Sequence, residues 1–197
     1  MKKNYNIKVK LLSPMHINGG TSPDGRRITI TQDKKPFIPA TLFKGMVRNN
    51  FEMFYNTYHS GVVCNDKENA NKICKCPSCV MFGRSGFQKS RVIFDNLELQ
   101  EGQESVIELR ANNSINRMLR KTKEGALVFT ETVSPLDKNR QPLIFTGNML
   151  VYYPKDNAEL LENYLKLSIE HIVSIGLGKS RGFGFVNVEV EEIVEKS

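Results

Sequence analysis

The chain has 197 residues, 40% hydrophobic and 25% charged, an ordinary globular balance that excludes a disordered or fibrous chain and supports a core without disulfides. No stretch approaches the ~20 apolar residues of a membrane span. Lys and Arg outnumber Asp and Glu by 28 to 21, for a formal charge of +7, so a polyanion is the natural class of partner. Met1-Lys2-Lys3-Asn4-Tyr5 leads into no apolar run and no small-residue cleavage site, and the expected compartment is the cytoplasm.

In chain order, residues 3–13 read as a strand, with Tyr5, Ile7, Val9 and Leu11 alternating against Asn4, Asn6, Lys8 and Lys10 until Pro14 stops it. Residues 16–33 are loop-like, with a short strand over 27–31. Thr41 is the expected N-cap of a helix whose Leu42, Phe43, Met46, Val47, Phe51, Phe54 and Tyr55 recur at helical spacing. An irregular cysteine-rich insertion covers about 59–90. A strand follows over 91–99, then two strands flanking a polar, basic stretch within 104–133, and a strand over 142–153. A second helix begins at Asp156 and runs to about Ser174, and the chain closes with a Gly-rich loop and a strand over 183–194. Without its insertions the order is β-α-β-β-α-β, which predicts an α+β, ferredoxin-like (RRM-like) fold in one domain, 1–197. The open face of such a sheet is a common RNA platform.

Gly176-Leu177-Gly178-Lys179-Ser180-Arg181-Gly182-Phe183-Gly184 invites three readings besides a plain turn. A P-loop needs glycine at 173, where Val173 stands. A dinucleotide fingerprint needs Gly-x-Gly-x-x-Gly after a strand, and here the spacing differs and a helix precedes. The aromatic strand of an RNA-recognition motif matches 181–188 closely, but only 11 residues follow Val186, too few to complete that fold. What survives is a backbone that admits a phosphate, with Lys179 and Arg181 supplying charge.

The four cysteines crowd between 64 and 79 as C-x9-C-x-C-x2-C. Clustered thiols favour a structural zinc site, held by Cys64, Cys74, Cys76 and Cys79 with His59 as a substitute ligand. Zinc contributes on the order of 10 kcal/mol of apparent binding energy to such sites, enough to organise an insertion with little core.

A Gly-rich loop between the last helix and strand of a ferredoxin-like fold resembles the RAMP superfamily of CRISPR-associated proteins. Residues 12–20 look like that family's first strand and turn, 36–48 (Pro36 to Arg48) resemble its "PYIPGSSLKGKLR" segment, 76–83 are similar to its "CPxCxLFG" element, and 113–117 to its "ENTIDR" stretch. In this order they look most like the repeated backbone subunit of type III CRISPR effector complexes. The resemblance implies copies of the chain lined up along a CRISPR guide RNA with other effector subunits. It also implies a thumb within about 104–133 that displaces a base at intervals, and target RNA cut near that base by an Asp with Mg²⁺ or another divalent cation.

Asp24 stands 12 residues before Pro36, the offset of the family's catalytic Asp, although its setting Pro23-Asp24-Gly25 reads as a turn on local chemistry. For RNA binding, Lys44 and Arg48 lie four apart on one helix face beside Thr41, an arrangement that suits phosphates or simply a solvated face. Arg117, Gly178, Lys179, Ser180 and Arg181 complete the set, with Arg26, Arg27 and Arg84 as secondary candidates. Two alternatives stand beside cleavage. One is a catalytically inactive guide-binding subunit, and the other a guide-processing ribonuclease using His16 as base, as in a related branch of the family. His16 and His171 otherwise read as structural.

Overall fold

A computed structural model describes residues 1–59, 73–86 and 88–194. The expected alternation produces β1 (Lys2–Leu11), with Tyr5, Ile7 and Val9 fully buried. The following loop carries β2 (Asn18–Thr21), β3 (Arg27–Thr29), β4 (Thr31–Gln32) and β5 (Lys35–Pro36). Helix α1 spans Ala40–Tyr58 and buries Phe43, Val47 and Phe51. It starts earlier than its sequence suggests: Pro39 takes the N-cap position, Thr41 lies inside the first turn, and the Ala40 N–H donates to Asn96 Oδ1 at 2.9 Å. A residue far along the chain therefore supplies the cap that local chemistry assigned to Thr41.

Beyond the short helix α2 (Pro77–Phe82) come β6 (Val92–Phe94) and β7 (Glu98–Leu99). The strand expected over 91–99 is broken between them, where Asp95 N–H donates to Asn148. The 104–133 region forms β8 (Ile107–Asn112), β9 (Ile115–Asn116), β10 (Lys121–Thr122) and β11 (Val128–Val133). These are followed by β12 (Ile144–Tyr152), α3 (Ala158–Glu170) and β13 (Val186–Ile193). Helix α3 ends four residues short of Ser174, because Ser174 instead bridges Phe185 in extended conformation.

The fold is mixed α and β, mostly strands with three α-helices among the described residues. The main sheet has the order β13-β1-β12-β6, antiparallel at each pairing, with β7 also on β12. Helices α1 and α3 pack on one face over Tyr5, Ile7, Val9, Phe145, Met149, Val151, Val186 and Val188. The opposite face carries Asn6 against Asn148 and Lys8 against Glu191. A second sheet, β2-β3-β11-β8, stands beside the first and contains one parallel pairing, β3 with β11. The β9–β10 hairpin projects from the β8–β11 ribbon. Among the described residues no helix is long and apolar enough to cross a membrane.

Candidate nucleic-acid interface and metal centre

The Gly-rich run folds into a short 3-10 turn, Lys179–Arg181, between Gly178 and Gly182, both left-handed. Its glycines serve the protein's own packing. A Cβ on Gly176 would stand 2.3 Å from His16 O, and one on Gly184 would stand 1.9 Å from Ile175 O. At Gly178 a Cβ would meet the Phe183 ring at 2.7 Å. The N–H groups of Leu177 and Gly184 donate to His16 O and Pro14 O, pinning the run against the turn after β1. Those of Arg181, Gly182 and Phe183 donate within the run itself. The close backbone approach that glycine permits is therefore made to this chain. Its charged tip is left outward: Lys179, Ser180 and Arg181 are exposed, and Lys179 and Ser180 have no side-chain partner among the described residues. Arg181 donates to Asn112 Oδ1 at 3.2 Å, and Asn112 in turn donates to Thr130.

Thr41 and Lys179, from opposite ends of the chain, line one open cleft of about 440 Å³ together with Gly45, Asn49, Asn50 and Ser174. Thr41, the exposed residue of the first turn of α1, thus faces the tip of the Gly-rich run, with no acidic residue in that turn to compete for a phosphate. Lys44 and Arg48 lie on the neighbouring stripe of α1. Burial, with the Arg48 charge beside it, holds the Lys44 ammonium below the usual lysine range. Lys44 makes no hydrogen bond or ion pair among the described residues. Arg48 differs: its Nε pairs with Glu52 at 2.9 Å and its Nη1 donates to Gly83 O at 3.2 Å. Arg117 stands exposed on the β9–β10 hairpin, next to Met118, which is 94% exposed.

Asp24 sits at the tip of the β2–β3 hairpin, where Gly25 takes φ 82° and donates to Ser22 O. Its carboxylate accepts from Ser22 Oγ and from Arg26 N–H, and pairs with Arg26 Nε at 2.5 Å. The Ser22 hydrogen bond, aided by Arg26, holds the carboxyl below the usual aspartate range. Turn chemistry thus accounts for Asp24, and its side chain remains 53% exposed. Arg26 is neutralised by this pair, whereas the Arg27 side chain makes no hydrogen bond or ion pair among the described residues. His16 is 2% exposed, its Nδ1 lies 2.8 Å from Glu131 O, and burial first, then Arg27 and Arg181, hold its pKa below the usual histidine value.

Cys74, Cys76 and Cys79 converge, with their sulfurs within 4.8 Å of one another. Tetrahedral zinc with Zn–S near 2.3 Å places its sulfurs about 3.8 Å apart, so the group fits a metal such as zinc without rearrangement of the chain. Backbone N–H groups of Cys76 and Cys79 donate to the sulfurs of Cys74 and Cys76, each at 3.4 Å, which orients these two side chains within the group. Cys64 lies outside the described residues. His59 is not in the thiol group; its ring packs on Tyr55 and Tyr164. Glu52 ties the cysteine element to α1 by accepting from both Arg48 and the Ser78 hydroxyl, the latter at 2.5 Å. Arg84 pairs through its backbone with Gln88 just beyond the element.

The cleft brings Thr41 and Lys179 together, while Arg48 sits with the cysteines and Asp24 and Arg117 on separate hairpins. Sequence reasoning missed Glu52, Asn96 and Asn112. The Arg48–Glu52 spacing of four was a readable signal; the other two act across long sequence separations and have none. A family model described as the RAMP superfamily matches residues 8–187. No curated protein matches the chain.

Proposed function

The chain belongs to the RAMP superfamily, whose members point to CRISPR-associated RNA binding, and from that membership we propose that it is the repeated guide-RNA-binding backbone subunit of a type III effector complex. The observation that carries the reading is the cleft in which the acid-free first turn of α1 faces Lys179 across the Gly-rich run. Free helix N–H groups and an unpaired ammonium suit consecutive phosphates of a single strand. Lys44, Arg181 and, on its separate hairpin, Arg117 extend the basic surface. Residues 1–197 are read as one domain with a ferredoxin-like core, since main-sheet order β13-β1-β12-β6 with two helices on one face suits that arrangement. The insertions at about 59–90 and 104–133 then serve as metal-bound element and thumb. Further copies, a target RNA and other effector subunits are the partners of this reading.

Target cleavage is assigned to Asp24. A ribose 2′-hydroxyl gives up its proton to water as its oxygen forms a bond to the adjacent phosphorus, the bond to the 5′-oxygen breaks, that oxygen takes up a proton from water, and the products are a 2′,3′-cyclic phosphate and a 5′-hydroxyl. Asp24, ionised at neutral pH, orients the attacking hydroxyl, and Arg27 offsets phosphate charge. A bound Mg²⁺ would supply further neutralisation. Asp24 would offer it one carboxylate, with no group of three acidic ligands among the described residues, and water and RNA oxygens would supply the other ligands. An inactive guide-binding subunit is the second reading, favoured by the pairing of Asp24 with Ser22 and Arg26. Processing through His16 is disfavoured by the burial of its ring. The test is Asp24→Asn in the assembled complex: guide and target binding retained with cleavage lost supports the assignment, and unchanged cleavage rejects it.

A further inference from the structure

The aromatic strand pattern over residues 181–188 is not used up by the cleft, and the fold leaves one of its rings free. The Phe183 ring packs into the Gly-rich run, where a Cβ on Gly178 would meet it at 2.7 Å. Val186 and Val188 are buried beneath the helices. Phe185 lies on the other side of the strand. Burial alternates from Phe185 to Glu189 as exposed, buried, exposed, buried, exposed, which puts Phe185 with Asn187 on the helix-free face of the main sheet. Phe185 is 44% exposed, and its ring makes no contact with another aromatic ring among the described residues.

The backbone fixes that position. The Phe185 carbonyl accepts from Leu12 N–H at 2.8 Å and from Ser13 N–H at 3.3 Å, and Phe185 N–H donates to Ser13 Oγ at 2.8 Å. Gly184 N–H donates to Pro14 O, and Leu177 N–H to His16 O. The turn over 12–16 is therefore the common seat of the ring and of the cationic tip, Lys179 to Arg181. Beside the ring the surface is apolar and then basic. Leu12, across from Phe185, is 55% exposed, and Lys10, opposite Asn187 in the next row, makes no side-chain hydrogen bond or ion pair among the described residues. Strand β13 carries no acid before Glu189. Glu189 and Glu191 then confine a phosphate chain to the Phe185 end of this face by repulsion. Scattered exposed apolar side chains need no explanation, but an unstacked ring on a seat shared with free cations is the pairing that single-strand binding uses.

We propose that the Phe185 ring is a stacking platform for one base of the guide strand whose phosphates lie on the Lys179–Arg181 tip. The inference rests on the RNA-binding reading above and supplies the base contact that phosphate binding leaves open. Stacking uses a π-face that every base has, so the subsite accepts any base and any guide sequence.

The test titrates the full-length chain with a guide-length single-stranded RNA and with a ribose-phosphate strand of the same length that carries no bases. Wild type should bind the base-free strand more weakly by about 5- to 100-fold, the range of one base–aromatic stack. Phe185→Leu keeps an apolar side chain and removes the π-face. It should show that loss on intact RNA and bind the two strands alike, whereas Phe185→Trp should retain wild-type affinity. The log–log salt slope should be the same in all three proteins, since stacking neutralises no phosphate. Equal wild-type affinity for the two strands overturns the proposal even if a variant fails to fold, as does a folded Phe185→Leu that binds intact RNA like wild type. A Phe185→Leu that keeps its RNA affinity but loses self-association makes the patch a contact between copies of the chain, and overturns the proposal too. Absence of any RNA binding by wild type would instead defeat the RNA-binding reading itself.

Discussion

Replacing Glu52 by alanine should loosen the cysteine element from helix α1. Glu52 Oε1 accepts from the Ser78 hydroxyl at 2.5 Å and from Arg48 Nε at 2.9 Å. Ser78 is 1% exposed, so its hydroxyl is left unpaired away from water, at a cost of about 1.5–3 kcal/mol for a bond to a charged acceptor. The Arg48–Glu52 pair is about one-third exposed on each side, and solvent screening reduces it to about 0.5 kcal/mol. The sum, about 2–3.5 kcal/mol, corresponds to a fall in Tm of roughly 4–14 °C for a chain of this size. The higher helix propensity of alanine returns only a few tenths of a kcal/mol. Calorimetry at fixed, saturating zinc reads the shift, and a cycle with Arg48→Ala should show coupling near 0.5 kcal/mol. The same reasoning makes Arg48 a strut, so Arg48→Ala should leave the salt dependence of RNA binding unchanged. A Glu52→Ala shift below about 0.5 kcal/mol, or a salt slope that falls by about 0.7 in Arg48→Ala, would refute it.

Gly184→Ala should destabilise by more than about 3 kcal/mol, because a left-handed φ costs 1–2 kcal/mol and the new Cβ collides with Ile175 O. Gly182→Ala, also left-handed but open to solvent, should lose only about 1 kcal/mol, and urea titration of the two variants checks both values. Glu162 is buried beneath hydrogen bonds from Lys166, Lys3 and Tyr5. Burial pushes its carboxyl up, and those bonds more than offset this, leaving it below the usual glutamate range. Its folded pKa is depressed, so its contribution is complete at neutral pH and is lost as pH falls through the folded value. Glu162→Gln should therefore cost about 2–4 kcal/mol at pH 7, and the two stability curves should converge in acid. Purified protein should carry one zinc per chain by elemental analysis and lose stability on chelation, while Cys79→Ser should carry none and ignore the chelator.

The alternation of Tyr5, Ile7 and Val9 and the helical recurrence of Phe43, Val47 and Phe51 were legible because a periodic apolar face reports burial directly. The mixed α and β character and the clustered thiols were legible for similar local reasons. The role of the glycines was not. Gly176 and Gly184 admit His16 O and Ile175 O, approaches fixed only once the last loop closes on the first turn. Likewise the cap on Ala40 comes from Asn96, and the seat of Arg181 from Asn112. Asp24 shows a further limit, since Pro23-Asp24-Gly25 forms the turn its residues specify, and the turn pattern does not report that the carboxylate stays half exposed and paired with Arg26.

The central claim is that RNA lies along the cleft between α1 and the Gly-rich tip, and the salt dependence of guide-length RNA affinity tests it most directly. Wild type should show a steep negative log–log slope, and Lys179→Ala with Arg181→Ala should reduce its magnitude by about 1.4, or ~0.7 for each phosphate no longer neutralised. A flat wild-type plot, or a slope the double variant leaves unchanged, would contradict it.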